Sequence, residues 1–200
     1  MDESVPRDTG PRNPGTLNSG PRNPGTLNTA AKDTGEEAGA LEAVEQHHGS
    51  MLKRLNALVF TLTHAVKAGD AVAEHDAHEV LVEWCETELV PHSLAEEGAL
   101  YGGAGDAPEG KLLVEGMLAE HQVLAGLAED LRGASGVDAA VAAGAIRQIF
   151  AVHVDKANRL LLPLIVASPG LSLAQAVGGL SELVGDAHVR RSRAGRGGTV

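Results

Sequence analysis

Two hundred residues with a net charge of −11 and 43% hydrophobic residues suffice for one domain with a buried core and no disulfides, with tails to spare. The acidic balance, and basic clusters without interleaved aromatics, argue against nucleic acid as the main partner. His, Glu, Lys or Arg interrupts every apolar helical pattern, so no membrane span is expected, and a lone Cys85 behind the unleader-like start Met1-Asp2-Glu3-Ser4 gives a cytoplasmic location as the expectation.

Residues 1–36 are rich in Pro, Gly, Asn and Thr and hold a tandem decapeptide, Gly10-Pro-Arg-Asn-Pro-Gly-Thr-Leu-Asn-Ser19 followed by Gly20-Pro-Arg-Asn-Pro-Gly-Thr-Leu-Asn-Thr29. Two copies cannot bury a face between them as a solenoid of three or more units does, so this segment reads as a disordered arm. From Glu37 to Lys67, Leu41, Val44, Met51, Leu55, Leu58, Val59 and Leu62 recur at helical spacing until Gly69-Asp70. A second helix is expected over 71–101 through Val72, Val80, Leu81, Trp84, Leu89, Leu94 and Leu100, kinked by Pro91.

Gly102 to Pro108 reads as a loop by composition. A third helix follows through Leu112, Leu113, Met117, Leu118, Leu124, Leu127 and Leu131, and Gly133 to Gly136 breaks it. The fourth runs over 137–167 through Val141, Ile146, Ile149, Phe150, Val152, Leu160, Leu161 and Leu164, with Pro163 near its end. Ser172 is placed to cap a short fifth helix within 169–186, through Leu173, Val177, Leu180 and Val184, and 187–200 is a basic, glycine-rich tail expected to be disordered. Four long helices with short connections predict an all-α, up-down-up-down antiparallel four-helix bundle over 37–168.

Each long helix carries a histidine in its apolar stripe: His48 continues Val44 and Met51, and His92 lies in the second pattern. His121 continues Met117 and Leu124, and His153 follows Ile146 and Ile149. With a rise of about 1.5 Å per residue, His48 lies roughly 16 Å from its helix start, His92 roughly 14 Å from its helix end, His121 roughly 18 Å from its start and His153 roughly 21 Å from its end. In alternating helices these depths refer to one end of the bundle, so the four imidazoles share a layer. A single buried histidine needs only a hydrogen-bond partner, but four facing imidazoles cannot all satisfy one another, and a cation satisfies them together. Glu96, one turn beyond His92, adds a carboxylate suited to iron or manganese. Glu88, one turn before His92, is a weaker candidate on the same ridge.

Four pieces, Gln46-His47-His48 with Met51-Leu52, His92-Ser-Leu-Ala-Glu96-Glu97 with Tyr101, Ala119-Glu120-His121, and His153 with Leu160-Leu-Leu-Pro163, resemble in order and spacing the hemerythrin-like family, also called the HHE cation-binding domain. The resemblance covers residues 41–167. It implies an antiparallel four-helix bundle around an oxo- or hydroxo-bridged pair of irons, in proteins that bind oxygen, sense oxygen or iron, or handle peroxide and nitric oxide. It also implies His48, His92, His121 and His153 as imidazole ligands and Glu96 as a bridging carboxylate, with His48 preferred to His47 because it falls on the stripe.

The chain departs from the family where a carboxylate is expected four or five residues after the last histidine, since those positions are Ala157 and Asn158. Where oxygen carriers of the family place a second histidine on the third helix, this chain has Ala125. A bridging carboxylate offsets the repulsion between two cations, so with one bridge gone the second metal is expected to bind more weakly. Asn158 offers a neutral carbonyl oxygen, and Glu88, Glu97 or Asp155 are the compensating carboxylates available. The expected ligand is a small diatomic molecule or peroxide, with no membrane partner, no nucleic acid and no identified protein partner. Turnover is left open. The alternatives are a diverged mononuclear or di-iron oxidase and a metal-depleted bundle acting as an interaction or regulatory module.

Overall fold

The computed structural model describes residues 32–186; the expected arm up to residue 31 and the tail from 187 lie outside the described residues. Among the described residues the fold is all-α, with no strand. Its helices are α1 (Thr34–Ala68), α2 (Ala71–Trp84), α3 (Val90–Glu96), α4 (Gly102–Asp106), α5 (Pro108–Gly133), α6 (Gly136–Lys156), α7 (Leu162–Ala167), α8 (Leu173–Ala176) and α9 (Ser181–Val184).

Helix α1 starts before the expected Glu37, because the Asp33 carboxylate accepts the Gly35 and Glu36 N–H groups at 2.8 and 3.2 Å and caps it. Lys32 Nζ donates to the carbonyls of Ile165 and Val166, so the folded part reaches into the segment read as arm. Gly69, at φ 67°, ends α1 in the left-handed conformation that a glycine adopts without strain.

The second expected helix is α2 and α3 joined by a π-helical turn, Cys85–Leu89, and the fourth is α6 and α7 joined by another, Ala157–Leu161. Each turn immediately precedes a proline near the start of the next helix, Pro91 or Pro163. Proline has no N–H and crowds the preceding turn, and a five-residue winding absorbs both; the Val90 N–H reaches the Cys85 carbonyl and the Leu162 N–H reaches that of Ala157. The disturbance expected at Pro91 therefore takes the form of a π turn. A third, Glu97–Tyr101, links α3 to α4.

Helix α1 packs against α2 and α6, α5 packs against α6 and α4, and α2 meets α5. Two buried apolar clusters result. One contains Met51, Leu55, Leu89, Leu124, Phe150 and Val154; the other contains Val44, Leu100, Met117, Ala157, Leu161 and Ile165. Between them on every long segment lies a buried polar residue: His48 between Val44 and Met51, His92 and Glu96 between Leu89 and Leu100, His121 between Met117 and Leu124, His153 between Phe150 and Ala157.

Four sequence readings are corrected. Val72, Val80, Leu94, Leu112, Val141, Val152 and Leu160, counted in the stripes, face outward, from 41% exposed at Val80 to 79% at Leu112. Alanines take their place inside, with Ala77, Ala139, Ala142 and Ala143 buried in the first cluster, which lets the helices approach closely. The stretch read as a loop forms α4, because Ala104 is fully buried against the second cluster. The single fifth helix is replaced by two four-residue turns, α8 and α9, broken at Gly178-Gly179, where Gly179 takes φ 89°. Finally, Gly136–Ala167 is long and apolar enough by length and composition to cross a membrane, since its charged residues are few enough to leave an 18-residue apolar window. That run packs against α1 and α5 and carries His153 on its buried side.

Candidate metal centre

The polar layer closes around one carboxylate. Glu96, fully buried, directs Oε1 to His48 Nε2 at 3.3 Å and His92 Nε2 at 3.6 Å, and Oε2 to His153 Nε2 at 2.9 Å and His121 Nε2 at 3.4 Å. The structure thus brings together His48, His92, Glu96, His121 and His153 in two buried triads that share Glu96, with the candidate ligand atoms of each triad within 4.8 Å of one another. His47, half-buried beside His92, does not enter either triad.

The ring edges that face away from Glu96 each meet an oxygen acceptor. His48 Nδ1 meets Asn158 Oδ1 at 2.6 Å, His92 Nδ1 the Glu182 carbonyl at 2.8 Å, His121 Nδ1 Glu97 Oε1 at 2.7 Å, and His153 Nδ1 Glu120 Oε2 at 3.3 Å. An acceptor at Nδ1 keeps the proton there and leaves the Nε2 lone pair facing the centre, the arrangement that a metal-binding imidazole needs. His153 alone has a second choice at close range, donating from Nε2 to Glu96 Oε2.

Tyr101 completes the layer. Its hydroxyl donates to Glu96 Oε2 at 2.9 Å and lies 3.2 Å from His121 Nε2, with its ring stacked on His121. On an α-helix a residue five positions after Glu96 would point elsewhere, but the π turn Glu97–Tyr101 has i→i+5 winding and returns Tyr101 to the side of Glu96.

The electrostatics agree with these roles at His92, Glu96 and Tyr101, and oppose a neutral ring at His121. Burial pushes His92 down to about 4 despite the nearby Glu96, so its ring is neutral at pH 7. Burial opposes ionisation of Glu96 too, but the imidazoles of His92, His121, His153 and His48 gathered around it outweigh it and hold the carboxyl well below the usual range. For His121 burial works against the charged ring, and the Glu96 and Glu97 carboxylates outweigh it and raise the pKa. Burial, then the Glu96 charge, push the Tyr101 phenol upward, so it stays a protonated donor.

The weaker sequence candidates fall elsewhere. Glu88 is exposed and lines a surface groove with His47 and Arg54, because it lies on the outward side of the helix one turn before His92. Glu97 and Asn158 stand behind His121 and His48, at Nδ1, where they orient the rings instead of facing the shared carboxylate. Asp155 is exposed and pairs with Arg159. Glu120, seen in the sequence only as part of the piece Ala119-Glu120-His121, comes from α5 beside Lys156 of α6, and Glu182, which gave no signal, contributes only its backbone.

His48 Nε2, His92 Nε2 and Glu96 Oε1 are buried and have no hydrogen-bond partner. With the Nδ1 positions protonated, all three are acceptors facing one another, and each unsatisfied buried group costs about 1–3 kcal/mol. One cation satisfies them together, and imidazole nitrogens with a carboxylate suit a borderline divalent ion such as iron. A family model described as the hemerythrin HHE cation binding domain matches residues 39–165, which include all five convergent residues. No curated protein and no solved structure matches the chain.

Proposed function

We propose, since the chain belongs to the hemerythrin HHE cation-binding family, that it is a non-haem iron protein whose centre takes a small diatomic molecule or peroxide as ligand. The observation that carries this reading is the set of three partnerless acceptors, His48 Nε2, His92 Nε2 and Glu96 Oε1, converging from α1 and α3. We read the four long segments as an up-down-up-down bundle, because the order of the two apolar clusters reverses from each segment to the next.

His48 and His92 would hold one iron with Glu96 Oε1, His121 and His153 a second with Oε2, and Glu96 would be the carboxylate they share. The second bridge that the family resemblance implies is replaced by Ala157 and Asn158, so the two ions bind unequally. Bound iron supplies an open Lewis-acid and one-electron centre for dioxygen, peroxide or nitric oxide. The acceptors at Nδ1 aim the imidazoles, burial keeps that of His92 neutral, and Tyr101 holds a hydroxyl donor at the edge of the layer. A half-open pocket of about 140 Å³ is lined by His121 together with Leu89, Val90, Leu124 and Ala125 and the polar Ser93, Glu97 and Gln122, and is of a size for a small molecule.

The test is elemental analysis of the full chain from iron-supplemented cells, read with its near-ultraviolet spectrum before and after anaerobic addition of nitric oxide. About two irons per chain support a pair, about one supports a single occupied triad, and none overturns the reading in favour of a metal-free bundle.

A further inference from the structure

We propose that the carboxyl-terminal turns α8 and α9, which lie beyond the residues matched by the family, are a working part of the metal centre: the Glu182 carbonyl fixes the tautomer and the aim of His92. The other three histidines rest on the side chains of Glu97, Glu120 and Asn158, all inside the matched range. His92 alone depends on a group outside it, at 2.8 Å. The metal-binding arm of this inference rests on the iron reading above, whereas its tautomer arm does not.

Two features hold the carbonyl in place. Leu183 and Val184, next to Glu182, are buried in the second apolar cluster with Leu173 and Val177, and α9 packs on both α1 and α3. At the other end, buried Glu37 accepts the Leu173 N–H at 2.9 Å and the Ser172 hydroxyl, tying α8 to α1. A helix of one turn also leaves its carbonyls without partners inside the helix, so the Glu182 oxygen is free to accept. Gly185 then turns the chain at φ 72°, where a Cβ would lie 3.4 Å from His47 Nδ1.

A neutral imidazole without this acceptor divides its proton between two nitrogens, and whenever Nε2 carries it His92 presents a donor to the centre in place of a lone pair. α9 therefore sets the fraction of time in which His92 can bind a cation.

The experiment is long-range ¹H–¹⁵N NMR of the metal-free full chain, followed by anaerobic ferrous titration, on the unaltered protein and on Leu183→Asp and the milder Leu183→Ala. The expected result is His92 protonated on Nδ1 in the unaltered chain, and in the variants a mixture with Nε2–H at His92 while His48, His121 and His153 keep their tautomers. Ferrous affinity should then fall by about 10- to 100-fold, the range for loss of a group that orients a metal-binding histidine. Nε2–H at His92 in the unaltered chain overturns the proposal whatever the variants do. An equal response of all four histidines also overturns it, because that marks general loosening. Failure of the unaltered chain to take up iron would sink the iron reading and leave the tautomer result standing.

Discussion

The Asn158 amide oxygen sits 2.6 Å from Nδ1 of His48, on the ring edge opposite the one that faces Glu96. A residue that stands where a second bridging carboxylate is implied thus serves as an orienting acceptor. It keeps His48 in the tautomer that can bind a cation but adds no charge to attract one.

Asn158→Asp preserves the shape and restores the charge. The expected outcome is higher iron occupancy, with the weaker ion bound about tenfold more tightly, a gain of about 1.4 kcal/mol. Asn158→Ala removes the acceptor and should weaken iron by about 10- to 100-fold. Elemental analysis and ferrous titration of the two variants decide the matter; if Asn158→Asp leaves both stoichiometry and affinity unchanged, the amide is not the cause of the inequality.

Tyr101→Phe removes the hydroxyl that Glu96 Oε2 accepts from. A buried charged acceptor that loses a donor should cost the metal-free protein about 1–3 kcal/mol, measured by denaturant unfolding. Glu96 Oε2 keeps His153 at 2.9 Å. A loss below about 0.5 kcal/mol would mean that His153 alone satisfies this oxygen.

The helices and the shared layer were legible in the sequence because burial follows helical spacing: His48, His121 and His153 each fall between two stripe residues that the structure buries. Glu97 and Asn158 were legible as candidates at the centre, but not the part that they, Glu120 and Glu182 play behind the rings. Asn158 reaches His48 across 110 positions and Glu182 reaches His92 across 90, so only the packed fold brings them together. Tyr101 was legible as a companion of the Glu96 motif, but its place beside Glu96 follows from a π turn and not from the regular period used to read the chain. The outward valines and leucines misled in the opposite direction. In a core narrow enough for Ala139, Ala142 and Ala143, side-chain size was a poor guide to which face is inside.

Two glycines of α5 separate backbone approach from helix propensity. A Cβ on Gly110 would lie 2.0 Å from the Ala104 carbonyl oxygen, whereas one on the exposed Gly116 meets nothing within 4 Å. Gly110→Ala is expected to destabilise by about 1–3 kcal/mol through forced backbone movement, and Gly116→Ala to stabilise by about 0.5–1 kcal/mol. Chemical denaturation of both variants checks the pair. Equal effects would mean that the contact between α4 and α5 relaxes freely.

Cys85 gives a pH prediction. Burial, with the Glu86 charge beside it, pushes its thiol from 9.0 up to about 12. A raised folded pKa means that the proton is held more tightly in the folded chain, so this contribution to stability is fully present below about pH 9 and is lost as pH rises toward 12. Melting temperatures at pH 8 and pH 10.5 should fall further for the natural chain than for Cys85→Ala. The same burial predicts that a thiol reagent at pH 8 modifies Cys85 only on unfolding.

The turn Glu97–Tyr101 also makes residue count a determinant of the centre. A π turn is an α-helix that has accepted one surplus residue, and Gly98, exposed and with open space around it, is the place where that surplus can leave with least disturbance. Its deletion would wind the segment back to the regular helix with Tyr101 four positions after Glu96, still within about 40° of it around the axis. A descendant of this chain that sheds one residue before Tyr101 therefore keeps a phenol at the centre, whereas one that gains a residue there carries the hydroxyl away from Glu96.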